Sequence, residues 1–157
     1  MIREAAEFAE RAHEGVYRKG TKIPYITNPM ETAAIVTAFT NEPEMIAAAL
    51  LHDVIEDAGV TKEELEEKFG SRVAFLVESE SEDKSRSWME RKGTTVEHLK
   101  SATRDEKILA LADKLSNIRS TVRDYLVLGD EVWQRFNQKD KDCLLYTSPS
   151  PRDVEES

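Results

Sequence analysis

Residues 50–59 read LLHDVIEDAG. The apolar run Met45, Ile46, Ala47, Ala48, Ala49, Leu50 and Leu51 leads directly into four ionisable side chains, His52, Asp53, Glu56 and Asp57. So continuous an apolar run reads as a helix buried all round, whereas a surface helix confines its charge to a solvated face. A His-Asp pair straight after it, followed by a Glu-Asp pair one turn later, places ionisable groups against a core. The pattern predicts a helix from about residue 43 to 56, with His52 and Glu56 one turn apart and Asp53 and Asp57 likewise. Adjacent His52 and Asp53 diverge by about 100° on a helix, yet both can reach a metal ion lying beyond the helix end. The plain alternative is a surface His beside a surface Asp. The apolar approach and the second acidic pair weigh against it.

Outward from this stretch the periodicity is helical. Ile2, Ala5, Ala6, Phe8, Ala9 and Ala12 recur at three- and four-residue spacing, and Gly15 can stop that helix. After the polar connection GVYRKGTKIPYIT, Asn28 reads as an N-cap, Pro29 as the first helical residue and Glu31 as the partner of a capping box. Thr61 and Glu64 form a second such box, and Ser71 reads as the cap of a further helix. Residues 79–87 read as irregular and 88–102 as a helix weakened by Gly93. Ile108, Leu111, Ala112, Leu115, Ile118, Val122 and Leu126 predict one long helix ended by Gly129. No segment alternates as a strand, so the expected fold class is all-α.

The chain has 157 residues, a net charge of −9 and 39% hydrophobic residues, which suits one soluble domain with a sizeable core. The acidic balance argues against non-specific nucleic-acid binding. No apolar run approaches the roughly 18–20 residues of a membrane span, and nothing marks an obligate protein partner. The single cysteine, Cys143, forms no intrachain disulfide and points to a reducing cytoplasm.

A second candidate cluster lies in ALADKLSNIRS, residues 110–120. Asp113 interrupts the apolar stripe, and Asn117 follows one turn later. A buried carboxylate is costly unless it meets a cation or hydrogen-bond donors. Asp113 therefore either pairs with a neighbouring Lys or shares a metal ion with His52 and Asp53.

HDVIED at 52–57 together with LADKLSN at 111–117 resembles the HD-domain phosphohydrolases. FAERAHEGVYRKGTKIPYITNPMETAAIV, ALLHDVIEDAGVTKEELEEKFGSRVAFLVE and WMERK at 88–92 resemble the Rel/SpoT-type alarmone hydrolases in particular, and the small stand-alone members fit best in size. The resemblance extends over about residues 4–142 and implies a helical HD-domain bundle. It implies hydrolysis of the 3′-pyrophosphate of guanosine tetra- or pentaphosphate, with a guanine nucleotide as substrate and manganese or another divalent metal as cofactor. By position, His52, Asp53 and Asp113 match metal ligands. Glu56 and Asp57 match the acidic pair that acts on the attacking water, Arg18 and Lys19 a basic pair at the substrate, and Asn117 a residue near the ribose and phosphates. Another HD-class phosphohydrolase, acting on NADPH or a nucleoside monophosphate, is the alternative enzyme.

The chain departs from the family at one ligand. The family's first metal histidine stands in a His-Pro dipeptide after Pro-Tyr-Ile, where this chain has Asn28-Pro29; His13 matches a separate family histidine. An amide oxygen can ligate, but more weakly than imidazole, and Asn28 can equally be only a helix cap. A catalytically impaired nucleotide-binding homologue is therefore also an alternative.

The C-terminal residues CLLYTSPSPRDVEES break the helical pattern. One frame of a transposon-end sequencing adapter translates as CLLYTSPSPRD, identical to residues 143–153. Residues 1–142 are accordingly expected to form the phosphohydrolase domain, truncated at its C-terminus, and 143–157 a non-native tail of translated adapter. Cys143 would then carry no information about compartment.

Overall fold

Apolar repeats separated by glycines, prolines and caps give a succession of helices. The computed structural model describes residues 1–136. The order is α1 (Ile2–Ala12), α2 (Thr27–Val36), α3 (Pro43–Leu51), α4 (Val54–Ala58), α5 (Lys62–Phe69), α6 (Ser71–Glu80), α7 (Trp88–Ser101) and α8 (Arg104–Leu128), then a 3-10 helix over Gly129–Arg135. Among the described residues the β character is confined to an isolated bridge between Tyr17 and Pro24. The fold is all-α, as expected. The expected tail at 143–157 and the boundary at 142 lie outside the described residues.

Contacts divide the chain into two units, Met1–Ser116 and a second from Asn117 onward, with the boundary inside α8. In the first unit α3 packs against α1, α2 and α6, and α5 packs against α6. Met45, Ala47, Ala48, Ala49 and Leu51 of α3 are fully buried, because alanines let neighbouring backbones approach while Met45 and Leu51 fill the remaining volume. Leu65, Val73, Val77 and Leu109 complete the same core. In the second unit Arg135 pairs with Asp124 at 2.8 Å, and the Trp133 ring lies 6.1 Å from those of Tyr125 and Phe136.

The helix ends differ from the sequence expectation in ways that bear on the site. The predicted continuous helix 43–56 is broken: α3 stops at Leu51, His52 and Asp53 form a turn, and α4 restarts at Val54. His52 Nδ1 donates to Ala49 O at 2.8 Å, and Asp53 sits at φ −100°, ψ −5°, in the sparsely allowed bridge region. Likewise α2 begins at Thr27 with Ile26 as its cap, so Asn28 is not the cap residue. Asn28 is 2% exposed, inside the first turn. Glu31 closes no capping box there; it accepts a hydrogen bond from Ser116 Oγ at 2.8 Å. Gly70, at φ 91°, caps α6 in place of Ser71. The buried face of α8 is also rotated from the predicted stripe. Leu109 is fully buried and Leu111 is 49% exposed, while Asp113 and Ser116 lie on the buried side with Ile108 and Ala112.

One cap follows the sequence reading, and a second forms that the sequence reading does not single out. Thr61 Oγ1 accepts from Glu64 N, and Ser87 with Glu90 forms a complete capping box at α7.

Candidate active site

The turn after α3 and the middle of α8 bring three side chains together. His52 Nε2 lies 3.0 Å from Asp53 Oδ2 and 3.2 Å from Asp113 Oδ1. His52 is 2% exposed and Asp113 7%. With Nδ1–H donating to Ala49 O, the ring presents Nε2 to the carboxylates, and this buried nitrogen has no contact of hydrogen-bond geometry. Burial opposes a charged imidazole, but Asp53 and Asp113 outweigh it and hold the ring's pKa well above the ordinary histidine value. Both aspartates are correspondingly held low: burial would raise them, and the facing His52 overrides it. Two carboxylates thus converge on one nitrogen and call for positive charge between them.

The acidic pair lies on α4, the short helix that restarts after the turn. Glu56 Oε2 accepts from the Glu82 amide at 3.3 Å. Asp57 Oδ1 accepts from Lys84 Nζ at 2.5 Å, and the same ammonium is 3.7 Å from Glu56 Oε1. Partial burial raises the pKa of Glu56, offset in part by the Glu82 amide and Lys84. A carboxylate moved toward neutrality in this way is better suited to taking a proton near pH 7.

Two participants, Tyr25 and Glu80, escape the sequence reading, and Lys114 is the neighbouring Lys expected as a partner of Asp113. Tyr25 donates its phenol O–H to Asp53 Oδ2 at 2.5 Å, and burial followed by the Asp53 charge drives its own pKa up, so it stays a donor. Lys114 Nζ donates to Asp113 Oδ2 at 2.8 Å; burial would lower its pKa, but the Asp113 charge overcomes this and raises it. Glu80 at the end of α6 has its carboxyl pushed up to about 7, chiefly by burial. Lys114 had a signal in its adjacency to Asp113, and Tyr25 in its place before Asn28. Glu80 had none, since its charge reads as part of a polar connection.

The remaining predicted residues are more dispersed. Arg18 and Lys19 lie in the loop between α1 and α2, Arg18 half-buried and Lys19 exposed. Asn28 Nδ2 donates to Ser116 Oγ at 3.3 Å, one turn along α8 from Asp113. Asn117, exposed on α8, is the first residue of the second unit.

The donor chemistry of His52, Asp53 and Asp113 fits a divalent cation, an imidazole with its tautomer set and two hard carboxylates. Two donors about 2.1 Å from one ion and about 90° apart are themselves about 3.0 Å apart, close to the 3.0 and 3.2 Å edges at His52 Nε2. Among the described residues, however, no three His, Cys, Asp or Glu side chains stand arranged around a metal ion. Asp53 Oδ2 also accepts from Tyr25 and Asp113 Oδ2 from Lys114, so an ion held here would share these carboxylates with the Tyr25 hydroxyl and the Lys114 ammonium.

A family model described as an HD domain matches residues 5–139. Guanosine-3′,5′-bis(diphosphate) 3′-pyrophosphohydrolase MESH1 of Xenopus tropicalis is 40% identical, over 78% of this chain and 70% of that protein. The Homo sapiens protein of the same name is 41% identical with the same coverage. A solved metazoan structure, described as a SpoT ortholog that hydrolyses ppGpp, superposes with a TM-score of 0.73 at 27% identity, covering 93% of this chain and 90% of that one. HD-domain hydrolases depend on a divalent metal. With its His-Asp pair meeting an aspartate from a distant helix, and with these matches along most of its length, the chain belongs to the HD-domain family.

Proposed function

We propose that this chain is a divalent-metal-dependent hydrolase that removes the 3′-pyrophosphate from guanosine tetra- or pentaphosphate, giving GDP or GTP and pyrophosphate. The observation that carries the reading is the buried meeting of His52, Asp53 and Asp113, with Glu56 and Asp57 on the next helical turn. His52, Asp53 and Asp113 would hold the ion, manganese by donor type, with Asn28 as a weaker fourth donor. What the ion supplies is polarisation of phosphoryl oxygens and a lowered pKa for water.

The chain's own groups do the rest. Glu56 takes a proton from the attacking water, whose oxygen bonds to the phosphorus attached to O3′. The P–O3′ bond breaks, and the proton passes to the departing 3′ oxygen. Asp57 orients the water beside Glu56. Arg18 and Lys19 neutralise substrate phosphates, Arg18 in a geometry suited to two parallel hydrogen bonds.

The test is to incubate the protein with guanosine tetraphosphate and manganese and identify the products. GDP and pyrophosphate support the reading. Orthophosphate release from NADPH or a nucleoside monophosphate, with guanosine tetraphosphate untouched, transfers it to another HD-class phosphatase. The amide of Asn28, buried and bonded to Ser116, favours one second reading, a nucleotide-binding protein with impaired turnover. Tight nucleotide binding without product would identify it.

A further inference from the structure

Tyr25 joins two parts of the molecule that the proposed reaction uses separately. Its phenol donates to Asp53 Oδ2 at 2.5 Å, across 28 residues of sequence. Its backbone N–H donates to Val16 O at 2.9 Å, and Arg18 N donates to Ile23 O at 2.8 Å. Together with the Tyr17–Pro24 bridge, these bonds fold residues 16–25 into one hairpin-like loop, and that loop carries Arg18 and Lys19. The His13 ring lies against Tyr25 with centroids 4.9 Å apart at 56°, and His13 is 4% exposed. The phenol is thus held from its ring face as well as through its hydroxyl. One side chain fixes the rotation of a carboxylate and anchors the basic loop.

We propose that Tyr25 is a positioning residue that couples the basic 16–25 loop to the metal carboxylate, so that loading a divalent cation also orders the loop that meets substrate phosphates. This rests on the metal-dependent reading above. A hydrogen bond to Asp53 Oδ2 restricts the carboxylate to one orientation before the cation arrives. Partners one step removed from a metal commonly change its affinity about 10–100-fold. The same bond passes the cation's restraint on Asp53 back through Tyr25 to the loop.

The test compares the full chain with Tyr25→Phe, which deletes one hydroxyl and keeps the ring against His13. Manganese affinity is measured by calorimetry, and backbone hydrogen exchange over residues 16–25 is followed with and without manganese. We expect manganese to bind about 10–100-fold more weakly to Tyr25→Phe, and to slow exchange in the loop of the wild-type chain but not in the variant. Equal affinity together with equal protection overturns the proposal. So does a variant that melts earlier without metal yet binds manganese normally, because that outcome makes Tyr25 a packing residue only. If the variant does not fold, the wild-type exchange still decides: a loop indifferent to bound manganese overturns the coupling. A wild-type chain that binds no divalent ion removes the metal reading itself, and this proposal with it.

Discussion

Lys84 Nζ stands 2.5 Å from Asp57 Oδ1 and 3.7 Å from Glu56 Oε1, so a single ammonium from the 81–87 connection serves both members of the acidic pair. The pair would otherwise be two adjacent carboxylates with Asp53 nearby. Replacing Lys84 with Met removes the cation that lowers Glu56. The acidic limb of the pH–rate profile should then move to higher pH, because Glu56 must ionise against its neighbours with only the Glu82 amide to favour its charge. The displacement should shrink as salt is added, since Lys84 is 54% exposed and such charges are screened. Stability should change by less than about 1 kcal/mol, as for other exposed pairs. A profile identical to wild type would show that Lys84 does not tune the acidic pair.

Glu56→Gln separates base chemistry from metal binding. The amide carbonyl can still accept from the Glu82 N–H, so the connection after α6 keeps its contact. Turnover should fall by about 10²–10⁴-fold, the usual contribution of a general base, with manganese affinity nearly unchanged by calorimetry. A parallel loss of manganese affinity would assign Glu56 to the metal instead.

The sequence reveals the helices more readily than the backbone at the site. Thr61 caps where its spacing with Glu64 predicts, because a cap is a local bond between residues three apart. The run before His52 is legible for a similar reason, since its apolarity by itself requires burial. The break at His52–Asp53 is not legible. It accompanies a ring nitrogen bonded to Ala49 O, the Asp113 carboxylate arriving from α8 and the Tyr25 hydroxyl donating to Asp53, none of which has a local signature. Leu111 and Leu109 show the same limit: either could face inward by periodicity, and tertiary packing selects Leu109. Asn28 reads as a cap by its position before Pro29. The structure instead starts the helix two residues earlier, at Thr27, and turns the amide to Ser116.

Asn28→His should increase manganese affinity by about tenfold or more, equivalent to about 1.4 kcal/mol, because imidazole is a stronger donor to a first-row metal than a neutral amide. Hydrolysis of guanosine tetraphosphate should rise with it. The site is tight: Asn28 is 2% exposed and bonded to Ser116 Oγ at 3.3 Å. The thermal midpoint without metal is therefore measured alongside, and a modest fall is expected from the larger ring. A variant that folds but binds manganese no better, and turns over no faster, would mean that position 28 does not contact the ion.

Glu80 supplies a prediction about stability rather than catalysis. Its carboxyl is pushed from 4.5 up to about 7 by burial, with Asp113 and Asp53 adding repulsion and Lys114 and His52 giving partial relief. A group with its folded pKa raised contributes stability that is fully present below its unfolded pKa and is lost as pH rises through the folded value. Wild-type stability should therefore decline between about pH 4.5 and 7 on account of Glu80. Gln keeps the shape and never acquires the charge. Glu80→Gln should match wild type near pH 4.5 and exceed it above pH 7 by about 1–3 kcal/mol, a gain already net of the attraction between Glu80 and Lys114. Denaturant unfolding at both pH values measures the difference, with a chelator present because a bound cation would itself lower the Glu80 pKa. An equal advantage at both pH values would trace the effect to side-chain packing, and no advantage above pH 7 would mean that Glu80 is already ionised at little cost, its charge answered by Lys114.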